Sequence, residues 1–112
     1  MKKPSKRTYS AYSIDAMRLL GATIRAQRKS NRMSELELAE RAGIARNVVQ
    51  RIEQGDMTCG VGLVFEAAHI VGISLFDADP SRLASQIKHI EDKLTLLPKA
   101  IHKKTKVIND DF

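Results

Sequence analysis

The sequence contains very little cysteine and no long apolar stretch. Its 112 residues include a single cysteine, Cys59, which excludes an internal disulfide and any metal site built from several thiolates of one chain. No apolar run approaches the roughly 18 residues that a membrane span needs, and the first residues, MKKPSKR, are polar, unlike the apolar core of a signal peptide. We therefore expect a cytoplasmic chain with no membrane partner.

Residue patterns typical of metal sites and enzymes are also missing. His69, His89 and His102 lie far apart in the sequence, with no ligand spacing among them or to Cys59. No glycine-rich phosphate loop follows a strand pattern, and no nucleophile, base and orienting acid can be assembled. The sequence predicts no metal, no cofactor and no enzymatic activity. With 43% hydrophobic residues, the chain can build one compact core.

Basic residues outnumber acidic ones, 19 against 13, and they are unevenly placed. The excess lies in residues 1–7 and 99–106, whereas residues 8–98 hold equal numbers of both signs. A net charge of +6 favours an anionic partner. Because residues 1–13 also lack helical apolar spacing, we expect a flexible basic arm. Its charges would suit the phosphates of a nucleic-acid partner. Its basic residues are Lys2, Lys3, Lys6 and Arg7.

Apolar residues at helical spacing predict a first helix directly after this arm. We expect Ser13 to cap the helix, which runs to about Lys29. Its apolar face is formed by Ile14, Met17, Leu20 and Ile24.

Two short helices joined by a very tight turn are predicted next. Ser34 and Glu37 have the spacing of a capping box, in which each side chain bonds the backbone N–H of the other residue. Gly43 can take the left-handed conformation that ends a helix. Helical apolar spacing then resumes at Ile44 and continues to Gly55. This arrangement is typical of a helix-turn-helix.

A further helix is predicted over residues 61–71, ended by Gly72, and a short fifth helical turn over residues 74–76. The residues expected to face the core from the longer of these two helices are Leu63, Val64, Ala67, Ala68 and Val71.

A C-terminal helix is predicted over residues 79–97. Asp79 is a suitable N-cap, and Pro80 follows it at the first helical position, where its missing N–H costs nothing. Apolar residues then recur at steps of four and three, and residues 98–112 lack such spacing and are predicted to form a flexible tail. The apolar seam consists of Leu83, Ile87, Ile90, Leu94 and Leu97.

The second short helix carries the side chains that suit DNA recognition. Val49 and Ile52 are expected to pack inward, so that polar residues point outward together. Arginine can donate two hydrogen bonds to guanine, and asparagine or glutamine can pair twice with adenine. A solvated charged face is the ordinary alternative for such a helix, but the tight turn before it favours DNA. We predict base contacts from Arg46, Asn47, Gln50 and Arg51, with a phosphate as the alternative partner of the last.

Four blocks of the chain resemble the Xre/Cro family of helix-turn-helix proteins, and the likeness covers about residues 14–76. The resemblance implies an all-α fold: a five-helix lambda-repressor-like DNA-binding domain, followed here by an additional C-terminal helix and flanked by flexible basic arms. It also implies that Arg28 and Glu53 form a fold-stabilising ion pair. The blocks are GATIR at 21–25, SELELA at 34–39, AGI at 42–44 and VQRIEQG at 49–55.

The chain departs from the pattern of that family at two positions. Glu35 stands where the family usually has a glutamine that bonds a DNA phosphate, and a carboxylate there would be repelled. Contact through the Ser34 hydroxyl or through backbone N–H groups is expected to compensate. Ala45 stands where a serine or threonine commonly caps the recognition helix. In the loop that follows this helix, Thr58 is expected to contact a phosphate.

The seam of the C-terminal helix leaves three alternatives open. It can pack on its own domain, pair with a second copy as a homodimer, or bind a partner protein. Function favours the homodimer, because a two-fold dimer doubles the interface and reads half-sites about 34 Å apart in a palindromic operator on double-stranded DNA.

In its size, its added helix and its tail ending in Asp110-Asp111-Phe112, the chain resembles the HipB-like antitoxins, which are encoded with HipA-like Ser/Thr kinase toxins. The resemblance implies a nucleoid-associated transcriptional repressor that regulates its own operon and binds the kinase. Two alternatives remain at this point. One is a stand-alone regulator without a toxin, and the other is a protein-interaction module that has lost DNA binding.

Overall fold

The computed structural model describes residues 7–103, and within them the chain is all-α, as predicted. The described residues fall into two compact units, one up to Leu75 and one from Phe76. The predictions for Lys2, Lys3, Lys6 and residues 104–112 lie outside the described part. The helices are α1 (Ala11–Ser30), α2 (Glu35–Ala42), α3 (Arg46–Glu53), α4 (Val61–Val71) and α5 (Pro80–Thr95).

Helix α1 begins earlier than the sequence predicted. Its N-cap is Ser10, whose hydroxyl accepts a hydrogen bond from the backbone N–H of Ser13 at 3.2 Å. The backbone N–H of Ile14 donates to the Ser10 carbonyl at 3.1 Å, which closes the first helical turn. Ser13 as the cap was therefore wrong, and the last residues assigned to the arm are helical.

The predicted tight turn between α2 and α3 is confirmed. The Ser34 hydroxyl accepts from the Glu37 N–H at 3.0 Å, and the Glu37 carboxylate accepts from the Ser34 N–H at 2.9 Å, completing the capping box. The bond donated by the Ser34 backbone N–H is the main cause that lowers the pKa of Glu37. Gly43 ends α2 with a φ of 70°, and the Ile44 N–H donates back to the Ala39 carbonyl at 2.9 Å.

The core of the first unit lies where α1, α2, α3 and α4 meet. Val49 and Ile52 of α3 are fully buried, as predicted, and they join Leu38 of α2 and Ile24 of α1 in one apolar cluster. Helix α4 contributes four of the five residues predicted for it. The exception is Leu63, which is 41% exposed.

A buried ion pair ties the end of α1 to the end of α3, as the family resemblance implies. The Nε of Arg28 donates to one Glu53 carboxylate oxygen at 2.7 Å and its Nη2 donates to the other at 3.0 Å. The Nη1 group donates to the carbonyl of Met33 at 2.9 Å. The hydrogen bond that Arg28 donates to Glu53 raises the pKa of Arg28. This pairing satisfies both charges, which is the condition for burying them.

The short helical turn predicted over residues 74–76 does not form. The chain bends there, and the Asp77 carboxylate accepts from the backbone N–H of Asp79 at 3.0 Å and from Nε of Arg82 at 2.9 Å. The Asp79 N–H, just after this bend, is thus satisfied by a side chain instead of by a helical hydrogen bond. In the second unit, α5 starts as predicted with Asp79 as N-cap and Pro80 first, and its helical residues end at Thr95.

Candidate nucleic-acid interface

The outward side of α3 brings together the four residues predicted to contact bases. Arg46 and Asn47 are exposed, and Gln50 and Arg51 are partly buried. The opposite side of the helix is anchored in the core through Val49 and its neighbours. Because the buried side of α3 packs in the core, the polar side chains on its opposite side form one surface.

Glu35, the first residue of α2, contacts two of these side chains. Its Oε1 accepts from Nε of Arg46 at 3.2 Å and from Nε2 of Gln50 at 2.9 Å. The hydrogen bond from Gln50, and then that from Arg46, lowers the pKa of Glu35. The carboxylate that was expected only to repel a phosphate is therefore held against the recognition helix.

Arg51 is held by the loop that follows α3. Its Nε donates to Asp56 at 2.8 Å and its Nη2 donates to the Thr58 hydroxyl at 2.7 Å. The bond to Asp56 raises the pKa of Arg51. Asp56 in turn accepts from the backbone N–H of Thr58 at 2.8 Å and from its hydroxyl at 2.7 Å. Both hydrogen-bond donors of Thr58 are thus engaged within the loop.

The observed hydrogen bonds involve both residues that were predicted to contact phosphates in this region, Thr58 in the loop and Ser34 at the start of α2. Thr58 can donate to a phosphate only if one of its bonds to Asp56 is released. Ser34 is exposed at the N-cap of α2, and its hydroxyl oxygen already accepts from the Glu37 backbone N–H. Both assignments stay predictions.

The described part of the N-terminal arm lies beside the same loop. Arg7 and Thr58 line one cavity of about 530 Å³, together with Tyr9 and Met57. The Arg7 guanidinium carbon lies 5.5 Å from the centre of the Tyr9 ring, a cation–π distance. An exposed cation of the arm is therefore placed next to the loop after the recognition helix.

Sequence reasoning missed two contributors to this surface. Arg25 of α1 lines a polar cavity of about 290 Å³ with Glu35 and Gln50. It lies three residues before Arg28 on the same side of α1, and the predicted pairing of Arg28 with Glu53 could have placed it near α3. Asp56 was missed as the partner of Arg51, although an acid five residues beyond an arginine, just past a helix end, is a usable signal.

This part of the chain is similar to known proteins. Residues 24–77 match the family model described as helix-turn-helix. The matched residues include the two short helices, α2 and α3, and the tight turn between them. With the helices described above, the match confirms the predicted all-α, lambda-repressor-like fold.

A curated relative of the helix-turn-helix domain is an uncharacterized HTH-type transcriptional regulator of Sinorhizobium fredii. The two are 32% identical over 69 residues. The aligned region covers 62% of this chain and 35% of the relative, so the chain spans about a third of the length of the protein that it matches.

Neither a metal site nor a membrane span is seen in the described residues. Within residues 7–103, no three or more histidine, cysteine, aspartate or glutamate side chains are grouped closely enough to hold a metal ion. No helix in the same part of the chain combines the length and apolarity needed to cross a membrane.

Proposed function

We propose that this chain is a sequence-specific DNA-binding transcriptional repressor whose helix-turn-helix domain reads the major groove with α3. The observation that carries the proposal is the arrangement of α3, which is anchored in the core through Val49 and Ile52 and presents Arg46 and Asn47 to solvent. In a helix-turn-helix, the second helix, which follows the first after a tight turn, is the element that enters the major groove.

The backbone contacts are proposed to surround this helix. Ser34 marks the start of α2, and Arg7 lies beside the loop that follows α3, so the two would reach phosphates on either side of the groove. Each phosphate that the protein neutralises steepens the salt dependence of binding by about one unit. The basic residues outside the described part would steepen this salt dependence further.

The protein is proposed to act as a homodimer on a palindromic operator. Helix α5 carries a seam of apolar side chains at heptad-like spacing, and three of them, Ile87, Ile90 and Leu94, are between 51% and 59% exposed. Apolar side chains in such a row favour pairing with another helix. A two-fold dimer would place two copies of α3 about 34 Å apart, one helical turn of DNA.

The experiment that tests DNA recognition starts from a random duplex library, because the operator sequence is unknown. Rounds of selection with the purified full chain should enrich one sequence, and its affinity is then compared with that of a scrambled duplex at several salt concentrations. Arg46→Ala and Asn47→Ala should each reduce the preference for the selected sequence by about tenfold.

A matched control separates base reading from charge. Lys88→Ala also removes one positive charge, but from an exposed position on α5, and it should leave the preference unchanged. Failure of the wild-type chain to enrich any sequence would overturn the proposed function. Retention of the preference in both α3 variants would overturn only the assignment of the base-reading residues.

The finer proposal is that the repressor is the antitoxin of a HipA-like Ser/Thr kinase toxin. It is supported by the size of the chain and by the presence of a helix, α5, in a unit separate from the helix-turn-helix domain. Co-expression with a HipA-like kinase encoded beside it should restore growth and yield a stable complex on purification. Absence of both effects, with operator binding intact, would leave a stand-alone regulator.

A further inference from the structure

One acidic side chain, Glu35, connects the two helices of the proposed recognition unit. It lies at the start of α2 and bonds residues 11 and 15 positions further along the chain, both on the outward side of α3. Its side chain is 27% exposed, whereas that of Arg46 is 61% exposed. The less exposed Glu35 carboxylate therefore holds the more exposed Arg46 guanidinium in place.

The donors that remain after these bonds are those needed for base recognition. Arg46 uses Nε for Glu35, which leaves both Nη groups, the end-on edge that can donate twice to guanine O6 and N7. Gln50 gives one N–H to Glu35 and keeps its second N–H and its amide oxygen, the pair that adenine requires. A carboxylate only accepts, so it also fixes which end of the Gln50 amide faces α2.

The same bonds restrict where these side chains can go. A free, exposed arginine at the edge of the groove can turn to a phosphate, a contact that carries no sequence information. A carboxylate facing the DNA also opposes the phosphate field and lowers affinity for every sequence. Glu35 is therefore expected to weaken binding overall while it restricts Arg46 to one orientation.

We propose that Glu35 is a specificity-determining residue, which positions Arg46 and Gln50 for direct reading of a guanine and an adenine. This inference rests on the proposed function of DNA recognition by α3. The arrangement makes Glu35 a positioning residue, acting on the bases through its two partners. Removing the Glu35 carboxylate should therefore lower the preference for the selected sequence while it raises the sequence-independent affinity for DNA.

The test compares Glu35→Ala with Glu40→Ala, a matched control that removes an exposed carboxylate from the same short helix. Both variants should bind a scrambled duplex more tightly, because each lowers the repulsion from phosphates. Only Glu35→Ala should reduce the ratio of affinities for the selected and scrambled duplexes, by about tenfold. The loss should be concentrated at the base pairs read by Arg46 and Gln50, located by single-base-pair substitution of the selected duplex.

A second measurement checks the positioning contacts without DNA. The carboxyl carbon of Glu35 is followed by NMR as pH is lowered, in the wild-type chain and in Gln50→Ala, where its apparent pKa should rise. If the pKa of Glu35 is the same in both proteins, the contact is absent in solution and the inference fails.

The outcomes distinguish this inference from the proposed function. A wild-type chain that prefers one sequence, together with an unchanged ratio in Glu35→Ala, would overturn the positioning role and leave DNA recognition intact. A wild-type chain with no preference for any duplex would overturn the proposed function itself, whatever the behaviour of Glu35.

Discussion

Gly21 of α1 lies directly against the backbone carbonyl oxygen of Ile52 of α3. A Cβ built on Gly21 would overlap that oxygen and would lie 3.0 Å from the carbonyl oxygen of Glu53. These atoms are backbone, so they cannot turn away as a side chain can. The absence of a side chain at Gly21 therefore sets how closely α1 approaches the end of the recognition helix.

Gly21→Ala should destabilise the protein even though alanine is the better helix former. The gain in helix propensity, about 1 kcal/mol, is smaller than the cost of forcing α1 and α3 apart, so we expect a net loss of about 2 kcal/mol in the free energy of unfolding. Urea unfolding followed by circular dichroism measures it.

Gly62→Ala supplies the matched control. This glycine is also helical, but nothing lies within 4 Å of the position of its Cβ. The substitution should leave stability unchanged or raise it by up to about 1 kcal/mol. Equal effects of the two substitutions would mean that the close approach at Gly21 does not limit the packing of α1 on α3.

The buried Arg28–Glu53 pair should contribute far more than an exposed pair of similar geometry. Glu53→Gln removes the charge and leaves the Arg28 guanidinium buried without its counter-ion, which is expected to cost about 3–5 kcal/mol. Arg82→Ala breaks an exposed pair with Asp77 of nearly the same length, 2.9 Å, and should cost at most about 1 kcal/mol. Chemical unfolding of both variants gives the comparison, and similar losses would contradict the role assigned to burial.

Local patterns predicted most of the fold, because the groups that start and stop these helices are close in sequence. The capping box of Ser34, the turn at Gly43 and the start of α5 at Asp79 all depend on residues within four positions of one another. Ser10 and Ser13 could both cap α1, and the apolar spacing that begins at Ile14 pointed to the wrong one.

The contacts within the candidate site were harder to predict. The residue types on α3 indicated DNA recognition, but the bonds of Glu35 to Arg46 and Gln50 join two helices. They depend on the crossing of α2 and α3 and on side-chain rotamers, neither of which appears in a one-dimensional pattern. A polar residue on an outward face can therefore be assigned to a surface from the sequence, while its partner there cannot.

Ala45→Ser should stabilise the protein by supplying the missing cap of α3. Ala45 has the extended backbone of an N-cap, with φ −74° and ψ 151°, but no side-chain bond to the helix. A serine hydroxyl at this position can accept from a free N–H in the first turn, which is typically worth about 1 kcal/mol. Thermal unfolding of Ala45→Ser and of Ala45→Val, which adds volume without an acceptor, isolates the hydrogen bond; a gain in both variants would refute the capping explanation.

Acid should weaken the protein partly through Asp56. Hydrogen bonds from Thr58, and then from Arg51, hold the pKa of Asp56 well below its usual range. A group whose pKa is depressed by folding stabilises the protein above its unfolded pKa, roughly 3.9, and loses that contribution as pH falls towards the folded value. Asp56→Asn should therefore be less stable than the wild type at pH 7, and the difference should shrink below about pH 4.

Denaturant unfolding at a series of pH values measures this difference. Asp15→Asn is the control, because Asp15 is 75% exposed and lies 3.8 Å from its cationic neighbour, Arg18. Its stability should follow that of the wild type at each pH. A difference between Asp56→Asn and the wild type that stayed constant down to pH 2 would show that the carboxylate charge is not what stabilises the loop.

Self-association of the chain should depend on the apolar seam of α5. Ile90 is 53% exposed at the centre of that seam, and a carboxylate placed there would have to be buried without a partner if two such helices paired. Ile90→Asp should raise the dimer dissociation constant at least tenfold in sedimentation experiments, whereas Gln86→Asp, an exposed change on the same helix outside the seam, should not.

Circular dichroism would verify that both variants keep their helices. The monomeric variant should bind a single half-site as the wild type does and lose only the added affinity for the palindrome, since α3 is untouched. A wild-type chain that stays monomeric at high concentration and on the palindrome would instead assign the seam to another partner.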